Sequence, residues 1–356
     1  MLALSGIGVV LIQSAAPAYA GRQLAGICAG TVLMALLSVV DYKRLMNQGW
    51  FWYLAGMAFL LAVNAVGAVS GGAARWLELG SFRFQPSELG KILFILFFAD
   101  WFQAHRNELG QWKYLLASFL LMALPVFSIL GQPDLSTAIV LSFIFACMLF
   151  AAGMDYRKIG KILAIVFPAG AVFLFLITRP GQTLLNDYQY RRIMAWLFPS
   201  VWAEEAYQQR NSIMAIGMGE LTGNGILTES PETVINSGFL PEAHTDFIMA
   251  VAGERLGFAG CALMIELLFL ITMGCIRIGM RAGNLSGRLV CAGMAALVGG
   301  QSFVNLGVVS GLLPNTGLTL PFVSYGLTSL VSLYMGMGVV MNVGAEERKT
   351  FQKQYR

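Results

Sequence analysis

The chain has 356 residues, 57% of them hydrophobic and 12% charged, and its mean hydropathy is +0.69. Soluble proteins carry about 25% charged residues, so this composition excludes an ordinary soluble fold and indicates one membrane-embedded bundle. The formal net charge of +4, from 23 basic and 19 acidic residues, is too small to indicate nucleic-acid binding. The five cysteines show no metal-site or disulfide spacing, and we interpret them as packing residues.

A helix needs about 20 mostly apolar residues to cross a bilayer. Ten stretches meet this condition, so the predicted fold class is all-α, a polytopic integral membrane protein. The predicted spans are 2–20, 24–40, 50–69, 87–103, 112–131, 135–153, 160–178, 247–276, 288–313 and 319–343. The first span ends in Ala18-Tyr19-Ala20, which imitates a signal-peptidase site, but residues 1–10 contain no basic residue, so we interpret it as a span.

The basic residues predict the orientation, because cytoplasmic loops are enriched in Lys and Arg. The alternate connections that include Lys43 and the C-terminal tail hold most of them. With ten spans, both termini are therefore predicted to be cytoplasmic. We expect a single membrane domain over 1–345, with a large extracytoplasmic loop at 178–246 between spans seven and eight, and a cytoplasmic tail at 346–356.

The connection after the third span carries polar residues directly into the fourth. Arg83 and Gln85 precede Pro86, which suits the first turn of a helix. Glu88 and Lys91 then share one helical face just inside the membrane. Either they form an ion pair that neutralises itself within the helix, or Lys91 lines a cavity and meets an anion.

Two further connections contain candidate residues. Asp134, in a short turn, either caps the following helix or takes part in chemistry. In the long loop, Arg191 and Arg192 lie among aromatic and aliphatic residues, which is typical of a helix at the membrane interface. They either anchor that helix to headgroups or bind a ligand. The glycine-rich residues 217–225 match neither nucleotide-binding motif and predict a tight re-entrant turn.

The start of the eighth span has the densest set of polar residues. His244, Thr245 and Asp246 precede it, and Glu254 and Arg255 lie two to three turns deeper. Thr245 or Asp246 could cap the helix. Charges buried in a membrane are unfavourable, however, and those that are retained usually have a function. Asp246 is therefore the best candidate for chemistry.

Four motifs together resemble the SEDS family of bacterial cell-wall proteins, which includes RodA, FtsW and SpoVE. The motifs are Arg83-Phe84-Gln85-Pro86-Ser87-Glu88, Gln132-Pro133-Asp134, Pro241-Glu242-Ala243-His244-Thr245-Asp246-Phe247 and residues 311–326, which read GLLPNTGLTLPFVSYG. They occur in the family's order. The family's ten-span topology and large external loop also agree with the prediction from hydropathy and charge.

The resemblance implies a peptidoglycan glycosyltransferase that polymerises lipid II, a lipid diphosphate carrying a disaccharide pentapeptide, at the outer face of the bacterial cytoplasmic membrane. Asp246 matches the family's essential carboxylate, which would take the proton from the attacking acceptor hydroxyl. Arg83 and Lys91 are the preferred ligands of the diphosphate, and Arg191 and Arg192 are weaker ones. The full set of expected substrate-binding residues is Arg83, Gln85, Glu88, Lys91, Asp134, Arg191, Arg192, His244 and Thr245.

The sequence contains no motif that binds a cofactor and no metal site. The resemblance allows a divalent cation, Mg or Mn, which Asp134 could hold. It implies a class B penicillin-binding protein as the transpeptidase partner, together with other elongasome or divisome membrane proteins. Lipid II is the implied substrate, and nucleic acid is not expected.

Two alternatives stay open. A lipid II flippase would also need cations and a polar cavity, but a carrier places its site near the midplane, whereas these residues gather at one face. A non-catalytic scaffold of the wall synthase would use Gly307 and Gly311 for helix packing. The chain departs from the family at 327–329, where glycine and serines are usual, and at Arg255. It therefore does not distinguish elongation, division and sporulation types.

Overall fold

The computed structural model describes residues 1–70, 73–79, 82–179, 182, 185–226, 228, 230 and 233–354. Parts of the predicted loop 178–246 and the last two residues of the predicted tail lie outside these ranges. The described part of the chain is mostly helical. Its helices are α1 (Leu2–Ala15), α2 (Pro17–Val39), α3 (Tyr42–Met46), α4 (Gly49–Val66), α5 (Pro86–Ala104), α6 (Trp112–Gly131), α7 (Leu135–Ala151), α8 (Tyr156–Ile177), α9 (Asp187–Leu197), α10 (Ala203–Met218), α11 (Ile248–Arg281), α12 (Leu285–Val309) and α13 (Leu327–Gln354).

The length and apolarity of the helices identify a multi-pass membrane protein. Among the described residues, five segments are long and apolar enough to cross a bilayer, namely α2, α6, α11, α12 and Leu327–Glu347 of α13. Shorter apolar helices are α1, α7, Gly49–Ala65 of α4 and Pro168–Ile177 of α8. Each predicted span overlaps a helix, but residues 310–313 of the ninth and 319–326 of the tenth are not helical. The number of ten crossings stays a prediction.

The first two helices divide the N-terminal region differently from the prediction. The predicted spans end at residue 20 and begin at 24, whereas α1 ends at Ala15 and α2 begins at Pro17. Ala16 is non-helical, with φ −152° and ψ 76°. Proline fits the first position of a helix, where the missing amide N–H costs nothing. Hydropathy does not register this break, because the residues on both sides of it are apolar.

A small antiparallel sheet, absent from the all-α prediction, connects α4 to α5. Its strands are β1 (Ala68–Ser70), β2 (Ala73–Leu79) and β3 (Phe82–Phe84), in the order β1-β2-β3. Glu78 is opposite Arg83 in the pairing of β2 with β3. Strands this short do not show in a hydropathy window of membrane-span length. The sheet holds Arg75 and Arg83 at the end of the bundle where α5 begins.

The centre of the bundle is α12, which packs against α5, α7 and α11, while α13 packs against α2. Helix α5 is also deeply buried, and its rings Phe94, Phe97, Phe98 and Phe102 are at most 2% exposed. Polar side chains on α5 and α12 are therefore shielded from water. Because an unpaired buried polar group is unfavourable, they must find partners inside the protein.

Helix α11 is broken at Gly257, and the predicted turn at 217–225 fills the break. Gly257 has φ 66° and ψ −165°, a conformation that glycine adopts far more readily than other residues. Two N–H groups after the break donate to carbonyls of the turn at 2.8 and 3.1 Å, and two carbonyls before it accept N–H groups of the turn at 2.9 and 3.1 Å. The turn thus replaces helical hydrogen bonds that the break removes, as backbone inside a membrane protein requires.

Gly257→Ala is expected to destabilise the protein by about 2–4 kcal/mol, because the new Cβ meets both backbone strain and a clash. That Cβ would lie 2.4 Å from the backbone nitrogen of Gly223. Gly274→Ala, in the same helix, is the control, since no atom lies within 4 Å of its Cβ position. Unfolding of the purified variants in mixed micelles measures both effects. Equal stability of the two variants would contradict this account of the break.

Candidate active site

Asp246 lies in the turn before α11. This is the end of the bundle where α5, α7, α11 and α13 begin and α12 ends, and we call it the site end. Its backbone C=O accepts a hydrogen bond from Nδ2 of Asn305 at 2.8 Å. The residue as a whole is half-buried. Oδ2 of Asp246 lies 3.3 Å, and Nη1 of Arg192 3.5 Å, from the point where a Cβ on Gly317 would sit. Because Gly317 has no side chain, the carboxylate and the guanidinium can both approach this point.

The surroundings of Asp246 make it a stronger base than an ordinary aspartate. Burial raises the pKa of its carboxyl group to about 6, although the guanidinium of Arg192 opposes this rise. Glu242 and Asp134 raise the pKa further, and Arg75 lowers it. A group with a pKa near 6 is mostly ionised at neutral pH and still basic enough to accept a proton during a reaction.

Helix α9 brings Arg192 to the site. The guanidinium lies 4.3 Å from the ring centroid of Tyr188, and Nη1 donates to the C=O of Asn315 at 3.4 Å. Trp196, one turn further along α9, donates from Nε1 to the C=O of Gly311 at 3.0 Å. Burial lowers the pKa of Arg192. The helix is thus attached to the segment after α12 at two points, which fixes the position of the half-buried cation.

Arg191, the neighbouring residue on α9, has different surroundings. Its side chain is 51% exposed and pairs with Asp187 at 2.9 Å and with Glu205 at 3.2 Å. The structure therefore brings Arg192 to Asp246 and leaves Arg191 in an exposed ion-pair network.

Asp134 both caps a helix and contributes charge to the site. It is 3% exposed and accepts hydrogen bonds from the backbone N–H of Thr137 at 3.1 Å and its hydroxyl at 2.9 Å. Nε of Arg75 lies 3.9 Å from Oδ2 of Asp134 and donates to the C=O of Gln132 at 3.4 Å. The capping alternative therefore describes the local geometry, and the ion pair adds Arg75 to the charges around Asp246.

Glu88 and Lys91 form the buried ion pair that one of the two alternatives describes. Nζ of Lys91 donates to Oε1 of Glu88 and to Oε1 of Gln301, both at 2.8 Å, and Lys91 is 1% exposed. Nε2 of Gln301 donates in turn to the C=O of Thr319 at 2.9 Å. Both hydrogen bonds of the lysine are therefore made to side chains inside the protein.

Gln301 and Asn305, one turn apart on α12, were not predicted from the sequence as site residues. Both are at most 1% exposed. Asn305 donates from Nδ2 to the C=O of Leu318 at 2.6 Å as well as to that of Asp246. The two amides therefore fasten the segment around Gly317 and the turn of Asp246 to α12. The sequence did offer one indication of these residues, namely two amides four positions apart in an apolar span. Polar groups are rarely retained in such a span without a structural or functional role.

His244 and Thr245 support the turn that carries Asp246. The ring of His244 stacks on that of Tyr19 at 4.6 Å, and its C=O accepts from the N–H of Tyr325 at 2.9 Å. Burial lowers the pKa of His244. The hydroxyl of Thr245 donates to the C=O of Glu242 at 3.0 Å. These contacts join α2, the turn and the segment before α13.

Gln85 and Arg83 lie on the α5 side of the site end. Gln85 immediately precedes α5, and its backbone N–H donates to Oγ1 of Thr328 at 3.3 Å. Arg83 is an exposed residue of β3. The two residues thus lie where the sheet, α5 and α13 meet.

Glu254 and Arg255 tie the long loop to α11. Both are at most 1% exposed. Oε2 of Glu254 accepts from the N–H of Val234 at 2.8 Å, and Nη1 of Arg255 donates to the C=O of Thr228 at 3.0 Å. Their charges thus find partners in the backbone of the loop. Across the described residues, no three His, Cys, Asp or Glu side chains come together in a way that could hold a metal ion.

The chain matches the family model described as cell cycle protein, FtsW/RodA/SpoVE, over residues 2–349. It is 35% identical to the peptidoglycan glycosyltransferase MrdB of Escherichia coli K12, covering 96% of this chain and 91% of that protein. A solved peptidoglycan synthase complex that coordinates polymerization and crosslinking contains a similar chain, with TM-score 0.79, 30% identity, and 97% and 96% coverage. The crystal structure of RodA from Thermus thermophilus gives TM-score 0.70 and 29% identity, with 97% and 94% coverage. The chain therefore belongs to the FtsW/RodA/SpoVE family of membrane proteins.

Proposed function

We propose that the site end is the active site of a peptidoglycan glycosyltransferase, and that Asp246 is its general base. The family supports the activity. The observation that carries the assignment is that Oδ2 of the half-buried Asp246 and Nη1 of Arg192 both lie close to Gly317. A base of suitable pKa and a fixed cation are what glycosyl transfer from a lipid diphosphate needs.

The proposed reaction joins two lipid II molecules in one displacement. The 4-hydroxyl oxygen of the acceptor N-acetylglucosamine attacks the anomeric carbon of the donor N-acetylmuramic acid. As the new C–O bond forms, Asp246 takes the hydroxyl proton, and the bond from the anomeric carbon to the diphosphate breaks. Undecaprenyl diphosphate leaves with the bonding electron pair, and the configuration at the anomeric carbon inverts.

The leaving diphosphate gains negative charge, so cations must be held near it before the reaction. We assign this role first to Arg192, which lies near the carboxylate, and then to Arg75, which pairs with Asp134. Arg83 can extend the cationic surface from β3. Lys91 is paired with Glu88 and Gln301, and we propose that it supports the α5–α12 contact from inside. Arg191, in its exposed ion pairs, would act at the rim.

The proposed setting is the bacterial cytoplasmic membrane. We propose ten crossings within a domain at 1–345, both termini in the cytoplasm, and the site end with the loop 178–246 at the outer face. The basic residues of the alternate connections support this orientation. The likeness to a chain of a synthase complex supports a class B penicillin-binding protein as partner, and other elongasome or divisome proteins could join it.

The pH dependence of kcat/KM tests the base. Asp246 must be ionised to accept the proton, so kcat/KM should rise with pH, bend near the pKa of about 6 and level off above it. The guanidinium of Arg192 lowers this pKa, so Arg192→Gln should move the bend to higher pH. Rates of lipid II polymerisation by the purified variants between pH 4.5 and 8 measure both effects. A bend that is unchanged in Arg192→Gln would contradict the assignment.

The flippase and scaffold alternatives differ from this proposal in what they demand of Asp246. A carrier needs groups that face both sides in turn, usually near the midplane. A scaffold needs no titratable carboxylate. The cluster around Asp246 lies instead where α7, α11 and α13 begin and α12 ends, which favours chemistry at one membrane surface.

A further inference from the structure

A charged cleft lies at the end of α11 opposite to Asp246. Its volume is about 580 Å³, and α11 and α13 form its walls. The cleft is lined by Arg277, Ile278, Arg281, Met341, Gly344, Ala345 and Glu347. The side chains of its two arginines and its glutamate make no hydrogen bond or ion pair with any described residue. Three charged groups thus share one cleft without neutralising each other.

Because the cleft is at the end of an apolar span, we infer that it lies near the membrane–water interface. After the break at Gly257, α11 continues as an apolar segment long enough to cross the bilayer, and Arg277 and Arg281 come in its last two turns. Met341 of α13 is 43% exposed, and Met280 of α11 is 71% exposed. Exposed apolar side chains beside a cationic cleft provide contacts for acyl chains next to a headgroup. Basic pockets between membrane helices bind such headgroups in other proteins.

The spacing and signs of the charges indicate the ligand. Arg277 and Arg281 are four residues apart, so they share one face of α11. Guanidinium groups bind phosphate oxygens through paired hydrogen bonds. Glu347 would repel a purely anionic headgroup, but it matches a headgroup that also carries an ammonium group with N–H donors.

We propose that this cleft is a binding site for a phospholipid with a phosphoethanolamine headgroup. Arg277 and Arg281 bind the phosphodiester, and Glu347 accepts hydrogen bonds from the ammonium. Phosphatidylglycerol lacks the ammonium, and the quaternary ammonium of phosphatidylcholine has no N–H to donate. The order of affinity is therefore phosphatidylethanolamine first, with the other two lipids behind it.

Binding of short-chain lipids to the delipidated full-length protein tests the site. Dihexanoyl phosphatidylethanolamine, phosphatidylglycerol, phosphatidylcholine and inorganic phosphate are titrated separately in detergent, with the melting temperature as the readout. Arg277→Ala/Arg281→Ala should weaken phosphatidylethanolamine binding by about tenfold or more. Glu347→Gln should abolish the preference over phosphatidylglycerol. Arg157→Ala/Arg288→Ala, which removes two exposed arginines outside the cleft, should leave binding unchanged.

Several results would overturn the proposal. Equal binding of the three lipids, or no binding, would show that the cleft does not recognise the headgroup. A shift by inorganic phosphate at the same concentration as the lipid would show a simple anion site. Equal losses in the two double variants would show that only general surface charge matters. The melting temperatures without lipid establish that each variant is folded.

Discussion

Asp246→Asn is expected to lower the rate of glycan polymerisation by a factor of about 10²–10⁴, the usual contribution of general base catalysis. The amide is nearly isosteric with the carboxylate but cannot accept the proton. Burial makes the ionised carboxylate unfavourable in the folded protein, so the variant should be at least as stable as the wild type. Loss of activity with retained stability separates a catalytic role from a structural one.

Asp41→Asn is the matched control for this substitution. Asp41 caps α3 at the opposite end of the bundle, where it accepts from the N–H of Lys43 at 3.0 Å, and asparagine is an equally good cap. Its activity should equal that of the wild type. Polymerisation by Asp246→Asn at the wild-type rate would show that another group takes the proton.

Lys91→Met should have the second largest effect, on stability. It leaves the carboxylate of Glu88 buried without a counter-charge, a loss of about 3–5 kcal/mol for a buried pair. Adding Glu88→Gln removes the uncompensated charge, so the double variant should regain most of the lost stability. Because Lys91 hydrogen-bonds only to groups inside the bundle, we expect the double variant to polymerise lipid II with an unchanged KM. A large rise in KM would place Lys91 on the diphosphate instead.

The exposed ion pair of Lys43 with Glu346 is the control for the substitutions of Lys91 and Glu88. Those side chains are 53% and 32% exposed, so Lys43→Met should change stability by less than about 1 kcal/mol. Unfolding in mixed micelles with increasing dodecyl sulfate gives all the free energies on one scale. Equal losses of stability in Lys91→Met and Lys43→Met would mean that burial does not determine how much the Glu88–Lys91 pair contributes to stability.

The apolar segments could be predicted from the sequence because membrane spans follow from composition alone. The limits of α6 match the predicted 112–131, and those of α4, α5 and α7 differ by at most three residues. The break between α1 and α2 could not be predicted in this way, since it depends on the backbone at Ala16. The break at Gly257 could not be predicted from the sequence either, because the turn that stabilises it lies more than 30 residues earlier in the chain.

The residues of the site could be named from the sequence, but their relation to each other could not. Asp246 and Arg192 are 54 positions apart, and only the fold brings them to Gly317. Arg191 and Arg192 look equivalent in the sequence, yet the turn of α9 leaves Arg191 exposed and Arg192 half-buried beside Asp246. Gln301 and Asn305 were missed because two amides in an apolar span do not show which backbone groups they hold until the fold is known.

Reconstitution of the purified protein with lipid II in vesicles tests the central claim most directly, when polymer formation and lipid II translocation are measured in the same sample. The protein is assayed alone and with a class B penicillin-binding protein, and Asp246→Asn is assayed beside it. The account predicts glycan polymer from the wild type in at least one of these conditions, and at most about 1% of that rate from Asp246→Asn. Translocation of lipid II without any polymer would contradict it.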